Sequence, residues 1–223
     1  MTVPAVDWQS HAERGESRWA DGRSRLPESP DERQRALTRM GNAAYAVGLA
    51  RSMSGDRGGA AEWLGRAADA YRDSWEGAPP DSWGRPIGAL KARVLADDWK
   101  GARRDAEWAL CTGAADAESP IGRYAAALAL CVLERWAEAR IHADAVRTRD
   151  DFPADVADAL AFISAEDVLG YATAVESALA SFETRDAYLE DVPVADTVLV
   201  LQALAGRRGL AADLRSPLLP GPT

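Results

Sequence analysis

Two histidines and two cysteines are the side chains here best suited to bond-making chemistry, and neither pair stands in a pattern that would use them. His142 has Arg140 and Asp144 beside it, but no serine or cysteine stands at a spacing that would build a nucleophile–base–acid triad. His11 lies in a polar N-terminal stretch with no such partner. No HxxxH, HExxH or paired-cysteine spacing occurs, nor an Asp-rich loop closed by Glu around a central Gly, so no metal ligand set is expected. The run Gly55 to Gly59 lacks a following Lys-Ser/Thr and no strand precedes it, so it is no phosphate cradle. Asp97-Asp98 and Asp150-Asp151 read as caps for the helices after them. Cys111 and Cys131 read as two small apolar core residues. No catalytic, cofactor or metal residue is expected, and the chain reads as a non-enzyme.

Aromatic side chains carry more information. Six of the eight tryptophans fall between residues 63 and 136, which makes helix packing their first reading. Trp99 and Trp136 each follow a short charged turn in the same way, which favours packing. Trp83 and Trp108 have no such equivalence and are candidates for a binding surface, where tryptophan is enriched.

Bulk properties narrow the partners. At 223 residues with 47% hydrophobic and 27% charged, the chain can bury a sizeable core as one domain or at most two. A net charge of −9 argues against nucleic acid or an anionic membrane as the main partner. Only Lys91 and Lys100 among the 26 basic residues are lysine, a bias that belongs to composition and not to a site. The start, MTVPAVDWQSHAERG, carries Asp7 and no apolar core, so no signal peptide is expected. The longest uncharged apolar run, Tyr124 to Leu133, is too short for a membrane span. A reducing cytoplasmic setting is the expectation.

The elements that must position these residues are helices. Residues 4–20 suit a short helix with Trp8 and Trp19, followed by a linker to residue 28. Ser29-Pro30-Asp31-Glu32 reads as a capping box opening a helix from Pro30 to about Met53, with Gly48 deep inside it at a close helix approach. A helix over Ala60 to Trp75 follows. Then comes a stretch the chain repeats: PIGALKARVLADDWKGARRDAEWAL from Pro86, and PIGRYAAALALCVLERWAEARIHADAV from Pro120, 34 residues later. In the link between them, Gly113 suits a left-handed cap and Ser119 caps the helix from Pro120. Further helices are expected over Ala154 to Ala165 and Val168 to Phe182. A last helix, about Val192 to Gly206, is apolar on most sides, which suits a helix buried between neighbours or one covering the end of the stack. The Pro-rich tail over 210–223 reads as extended, with Leu218 and Leu219 as anchors. No alternating strand pattern appears.

Aligning the turns gives GDRGGAAEWLGRAA at Gly55, DDWKGARRDAEWAL at Asp97 and ERWAEARIHADAV at Glu134. This resembles the tetratricopeptide repeat (TPR) family in degenerate form, through Gly48, Gly55, Ala60 and Ala67, then Asp97, Trp99, Ala102, Ala109 and Leu110, then Ala127, Trp136, Ala139 and Val146. The register is uneven, 42 residues from Ala60 to Ala102 and 37 from Ala102 to Ala139. The resemblance implies an all-α fold over residues 29–209: antiparallel helix pairs stacked as a short solenoid, with a C-terminal capping helix. It further implies a concave face that binds partners, into which Asn42, Tyr45, Leu49, Lys91, Tyr124 and Leu128 would point.

The functional expectation is a non-catalytic protein–protein interaction module that takes a protein or peptide partner on that concave face. An acidic immunity- or inhibitor-type protein that neutralises a basic partner is the alternative, and an enzyme on a helical scaffold a second. Exposed tryptophans and the apolar last helix also leave a homo-dimer open.

Overall fold

One turn design recurs four times along the chain. A residue in the left-handed region (Gly55, Asp97, Glu134, Glu166; φ +84, +55, +60 and +60) ends one helix, and the next residue opens the following one. In three of the four that residue is an aspartate: Asp56, Asp98 and Asp167 each accept a hydrogen bond at 2.9 Å from the backbone N–H three residues on. This satisfies one of the N–H groups that a helix start leaves orphaned. Arg135 holds the fourth position without a side-chain cap.

The computed structural model describes residues 6–221, which form ten α-helices and no strand. They are α1 (Trp8–Ser24), α2 (Pro30–Met53), α3 (Arg57–Asp73), α4 (Gly84–Leu95), α5 (Trp99–Cys111), α6 (Pro120–Val132), α7 (Trp136–Arg147), α8 (Ala154–Ala165), α9 (Val168–Glu183) and α10 (Asp196–Gly206). Residues 1–5 at the N-terminus, with the expected helix start at residue 4, and Pro222 in the tail lie outside the described residues. Each helix from α1 to α9 packs on the next, and α2, α4, α6 and α8 also touch in succession. None of the helices is long and apolar enough to cross a membrane.

Small residues set how closely the helices approach. Ala102, Ala109 and Ala139 are fully buried, as are Ala67 and Ala68 in α3. A Cβ on Gly48 would sit 2.5 Å from the Leu64 side chain and 3.2 Å from its backbone nitrogen, so α2 and α3 meet there at glycine distance. The N-terminal helix finds its place by the same device, with Gly15 of α1 resting on Val47 and on the Ala43 carbonyl of α2. Trp19 then meets Trp63 edge-on, with centroids 6.0 Å apart.

Several local expectations are corrected. Ser29 makes no side-chain capping bond, so no capping box opens α2. Asp150 and Asp151 do not cap α8: Asp151 pairs with Arg149, and it is Asp155 that accepts from the Val156 N–H. Cys111 is exposed, and only Cys131 is a core residue. Helix α3 begins three residues early because Asp56 caps it. Of the two expectations for α10, burial between neighbours holds and the capping position does not. The helix starts at Asp196, after a 3₁₀ turn at Leu189–Asp191, and lies against α4, α8 and α9 instead of ending the stack. Its sequence explains this. Val198, Val200, Leu201, Leu204 and Ala205 are all within 1% of full burial, which needs neighbours on several sides. The tail is anchored as expected: the Ala195 N–H donates to the Leu218 carbonyl, and Leu218 and Leu219 pack on the core.

Candidate functional site

Of the six residues expected to line an open face, Tyr45 and Lys91 bond the chain's own C-terminal segment. Tyr45, Leu49, Tyr124 and Leu128 are buried. The Tyr45 hydroxyl donates to Asp196 Oδ2 at 2.9 Å, and Lys91 Nζ lies 2.5 Å from that same oxygen. Lys91 also donates to Thr197 Oγ1 at 3.0 Å. Asn42 is used internally as well, its Oδ1 accepting from the Tyr71 hydroxyl at 2.9 Å. Burial, and after it the Asp196 charge, holds the Tyr45 hydroxyl well above the ordinary phenol range. Tyr71 and Tyr124 are raised for the same two reasons in the same order. The first turn of α10 thus sits among three un-ionised phenols and one ammonium.

The other end of α10 is held by the repeated tryptophans. The Arg207 guanidinium lies 4.7 Å from the Trp99 ring and pairs with Glu134, while Arg208 lies 4.7 Å from Trp136. Arg208 also donates to the carbonyls of Ile163 and Ser164 at 2.8 and 2.9 Å. Trp99 and Trp136 therefore pack, as their equivalence suggested, with successive arginines of one segment as guests. Trp83 is buried against Trp75 at 5.5 Å, and its indole N–H donates to Asp81. Trp108 is half-buried, edge-on to Trp75 and covered by Arg72 at 5.0 Å. Both tryptophans belong to an internal cluster and not to a free surface.

Polar groups elsewhere are similarly consumed. Asp105, fully buried, meets Arg72 at 2.6 Å and Arg93 at 3.1 Å, tying α3, α4 and α5 together. His142 is half-buried, and burial, followed by Arg123, lowers its pKa. Its Nδ1 has no hydrogen-bond partner, and no nucleophile stands near it in the hydrogen-bond network. No group of three or more His, Cys, Asp or Glu among the described residues is placed to hold a metal ion.

An open recess lies at the loop ends of α6, α8 and α9 beside the start of α10. It has a volume of about 490 Å³ and is lined by Ile121, Tyr124, Phe152, Val156, Phe182 and Arg185, with Asp151 and Thr197 at its edge. Tyr124 and Phe152 form an aromatic wall with centroids 5.1 Å apart. The Arg185 guanidinium stands 3.7 Å from the Phe182 ring centroid and makes no ion pair among the described residues. Ile121 is 40% exposed at the rim. Of the five tyrosines, Tyr45, Tyr71, Tyr171 and Tyr188 each donate to a partner. Tyr124 donates to no partner among the described residues; the residue is 6% exposed but its hydroxyl is not enclosed, the buried atoms without a partner being Arg51 Nε and His142 Nδ1.

Only Tyr124 among the sequence-derived candidates borders this recess. Phe152, Arg185, Thr197 and Ile121 were missed, because they come from four separate segments that only the packing brings together. One local signal existed: Asp196-Thr197 is a polar pair heading a run that is otherwise apolar, and that pair marks where α10 meets the tyrosines. No family model matches the chain, and comparisons with curated proteins and with solved structures return no match.

Proposed function

We propose that this chain is a non-catalytic, TPR-like interaction module whose concave face is filled by its own C-terminal segment, and which grips a protein or peptide partner at the loop-end recess. Support for the repeat comes from the four equivalent left-handed turns, the buried alanines five residues after the first three, and the succession of contacts along α2, α4, α6 and α8. Support for binding in place of catalysis comes from how the polar groups are used: the carboxylates and cations of the interior are paired with one another, and none converges on a cavity with a nucleophile. The observation that carries the reading is the unpartnered Tyr124 hydroxyl inside an open, apolar recess of about 490 Å³, a volume ordinary for a ligand pocket. An apolar side chain presented by a partner would fill that space, and an oxygen beside it on the partner would accept a hydrogen bond from the hydroxyl.

Selection of a displayed peptide library on the intact chain tests this. The expected result is an enriched motif with one apolar anchor that no longer binds the Ile121→Glu protein. Enriched peptides indifferent to Ile121→Glu, or no enrichment at all, would overturn the recess as the binding site.

A further inference from the structure

The recess is not merely apolar. Beside its apolar side chains (Ile121, Phe152, Val156, Phe182) it is lined by two residues whose donors have no polar partner among the described residues: Tyr124, with its hydroxyl, and Arg185, with its guanidinium. Asp151, the one carboxylate at the edge, is already held by both nitrogens of the Arg149 fork at 3.1 Å each. Thr197 Oγ1 accepts from Lys91 and so faces the recess with its acceptor capacity partly spent. Burial first, then the Asp196 charge, raises the Tyr124 pKa, so this phenol stays protonated and offers a hydrogen to whatever enters. Arg185 is flanked by the Phe182 face and not by a carboxylate, so its charge is not neutralised within the fold. A neutral guest would satisfy the hydroxyl alone. A guest with one carboxylate satisfies both donors, and one cation is matched by one negative charge.

From this we infer that the recess recognises an apolar side chain with an adjacent carboxylate, presented within a partner's peptide segment as an aliphatic or aromatic residue next to Asp or Glu. The inference rests on the recess being the binding site. Tyr124 donates to one carboxylate oxygen, Arg185 faces the other, and the apolar side chain lies against Phe152 and Val156. A charge-assisted hydrogen bond of this kind separates acid from amide by about tenfold or more.

The test is an NMR titration of the intact chain with two doubly capped dipeptides, N-acetyl-Leu-Glu-amide and N-acetyl-Leu-Gln-amide. They differ only in carboxylate against amide and carry no free terminus. Tyr124→Phe removes a hydroxyl that has no partner in the fold, and Arg185→Gln alters an exposed side chain, so both variants should remain folded. The expected result is tighter binding of the Glu peptide by about tenfold, with either variant bringing it down to the level of the Gln peptide. Equal binding of the two peptides at Ile121 and Phe152 overturns the carboxylate assignment while leaving the module intact. Perturbation by 3-phenylpropionate but by neither capped peptide overturns the peptide source and marks a site for a free acid. If neither peptide shifts the recess resonances, the inference falls, and the displayed-peptide selection shows separately whether the recess reading falls with it.

Discussion

Replacing Asp196 by alanine should be among the most damaging single changes outside the apolar core, and the structure sets its size. The carboxylate is about 15% exposed and the Lys91 ammonium 14%, so water screens the pair only partly. Asp196→Ala strands Lys91 with Thr197 as its only partner and leaves the buried Tyr45 hydroxyl without an acceptor. Removing one member of a fully buried pair costs about 3–5 kcal/mol. Partial exposure and the surviving Thr197 bond bring the expected loss to about 3 kcal/mol. Asp196→Asn keeps an acceptor for Tyr45 and should cost about 1 kcal/mol less, and Tyr45→Phe alone about 1 kcal/mol. Lys91→Met should cost about 2 kcal/mol alone, but in combination with Asp196→Ala the two losses should fall short of their sum by about 1.5–3 kcal/mol. Urea unfolding at neutral pH, followed by far-ultraviolet circular dichroism, measures each value from the midpoint at unchanged slope. Strict additivity, with each single loss under about 0.5 kcal/mol, would mean that the pair behaves as a surface ion pair and that α10 is not anchored as described.

Two further outcomes follow from packing and burial. Gly48→Ala should destabilise by about 1–2 kcal/mol despite alanine's better helix propensity, because the new methyl meets Leu64 at 2.5 Å, whereas Gly58→Ala, with nothing within 4 Å, should be neutral or slightly stabilising; urea midpoints decide, and a more stable Gly48→Ala would refute the close approach. In alkali, Tyr45, Tyr71, Tyr124 and Tyr171 are all raised by burial, so the native chain keeps protons that the unfolded chain gives up. Stability is therefore whole below about pH 10 and falls above it, by about 1.4 kcal/mol per pH unit for each such group. Cys131, pushed up to about 12 by burial, adds in the same direction from a lower pH. Tyrosinate absorbance should rise together with loss of helix; smooth ionisation of an intact helical protein would contradict the burial.

What was readable from the sequence was what neighbours along the chain decide. Pro30 and the Ser54-Gly55 turn bound α2 at the expected residues, and Pro120 opens α6, whereas α4 begins at Gly84, two residues ahead of its Pro-Ile-Gly. Gly113 is left-handed and Ser119 caps α6, because both effects act within a few residues. Ser29 failed for an equally local reason, since a favourable residue type does not guarantee the rotamer that caps. The placement of α10 was out of reach. An apolar helix announces that it will be buried, but its periodicity does not say against which partners, and the answer lies with Lys91 and Tyr45, more than a hundred residues away. The same limit hid the recess, whose walls come from α6, the loop before α8, the end of α9 and the first turn of α10. Cys111 is the last residue of α5 and is exposed, whereas Cys131 lies within α6 and is buried; residue type alone does not separate the two.

The position of α10 changes how the assembly can behave. In an open stack of hairpins each unit touches only its neighbours, so coupling decays along the array and end units fray first. Here a single helix bridges several others: its first turn bonds Tyr45 of α2 and Lys91 of α4, and the residues after its end engage Trp99, Glu134, Trp136 and the last carbonyls of α8. Opening any one of those hairpins strips a bond from the same helix, so the hairpins are coupled through α10 as well as through one another. The consequence reaches the recess. Thr197, on the first turn of that helix, forms part of its edge, and Tyr124 lies between the recess and the Asp196 charge. The Thr197 edge of the recess is therefore held by α10, whereas Arg185 stands exposed after the end of α9. The proposed guest would meet that edge already formed, while ordering the Arg185 side chain offsets part of what its charge contributes.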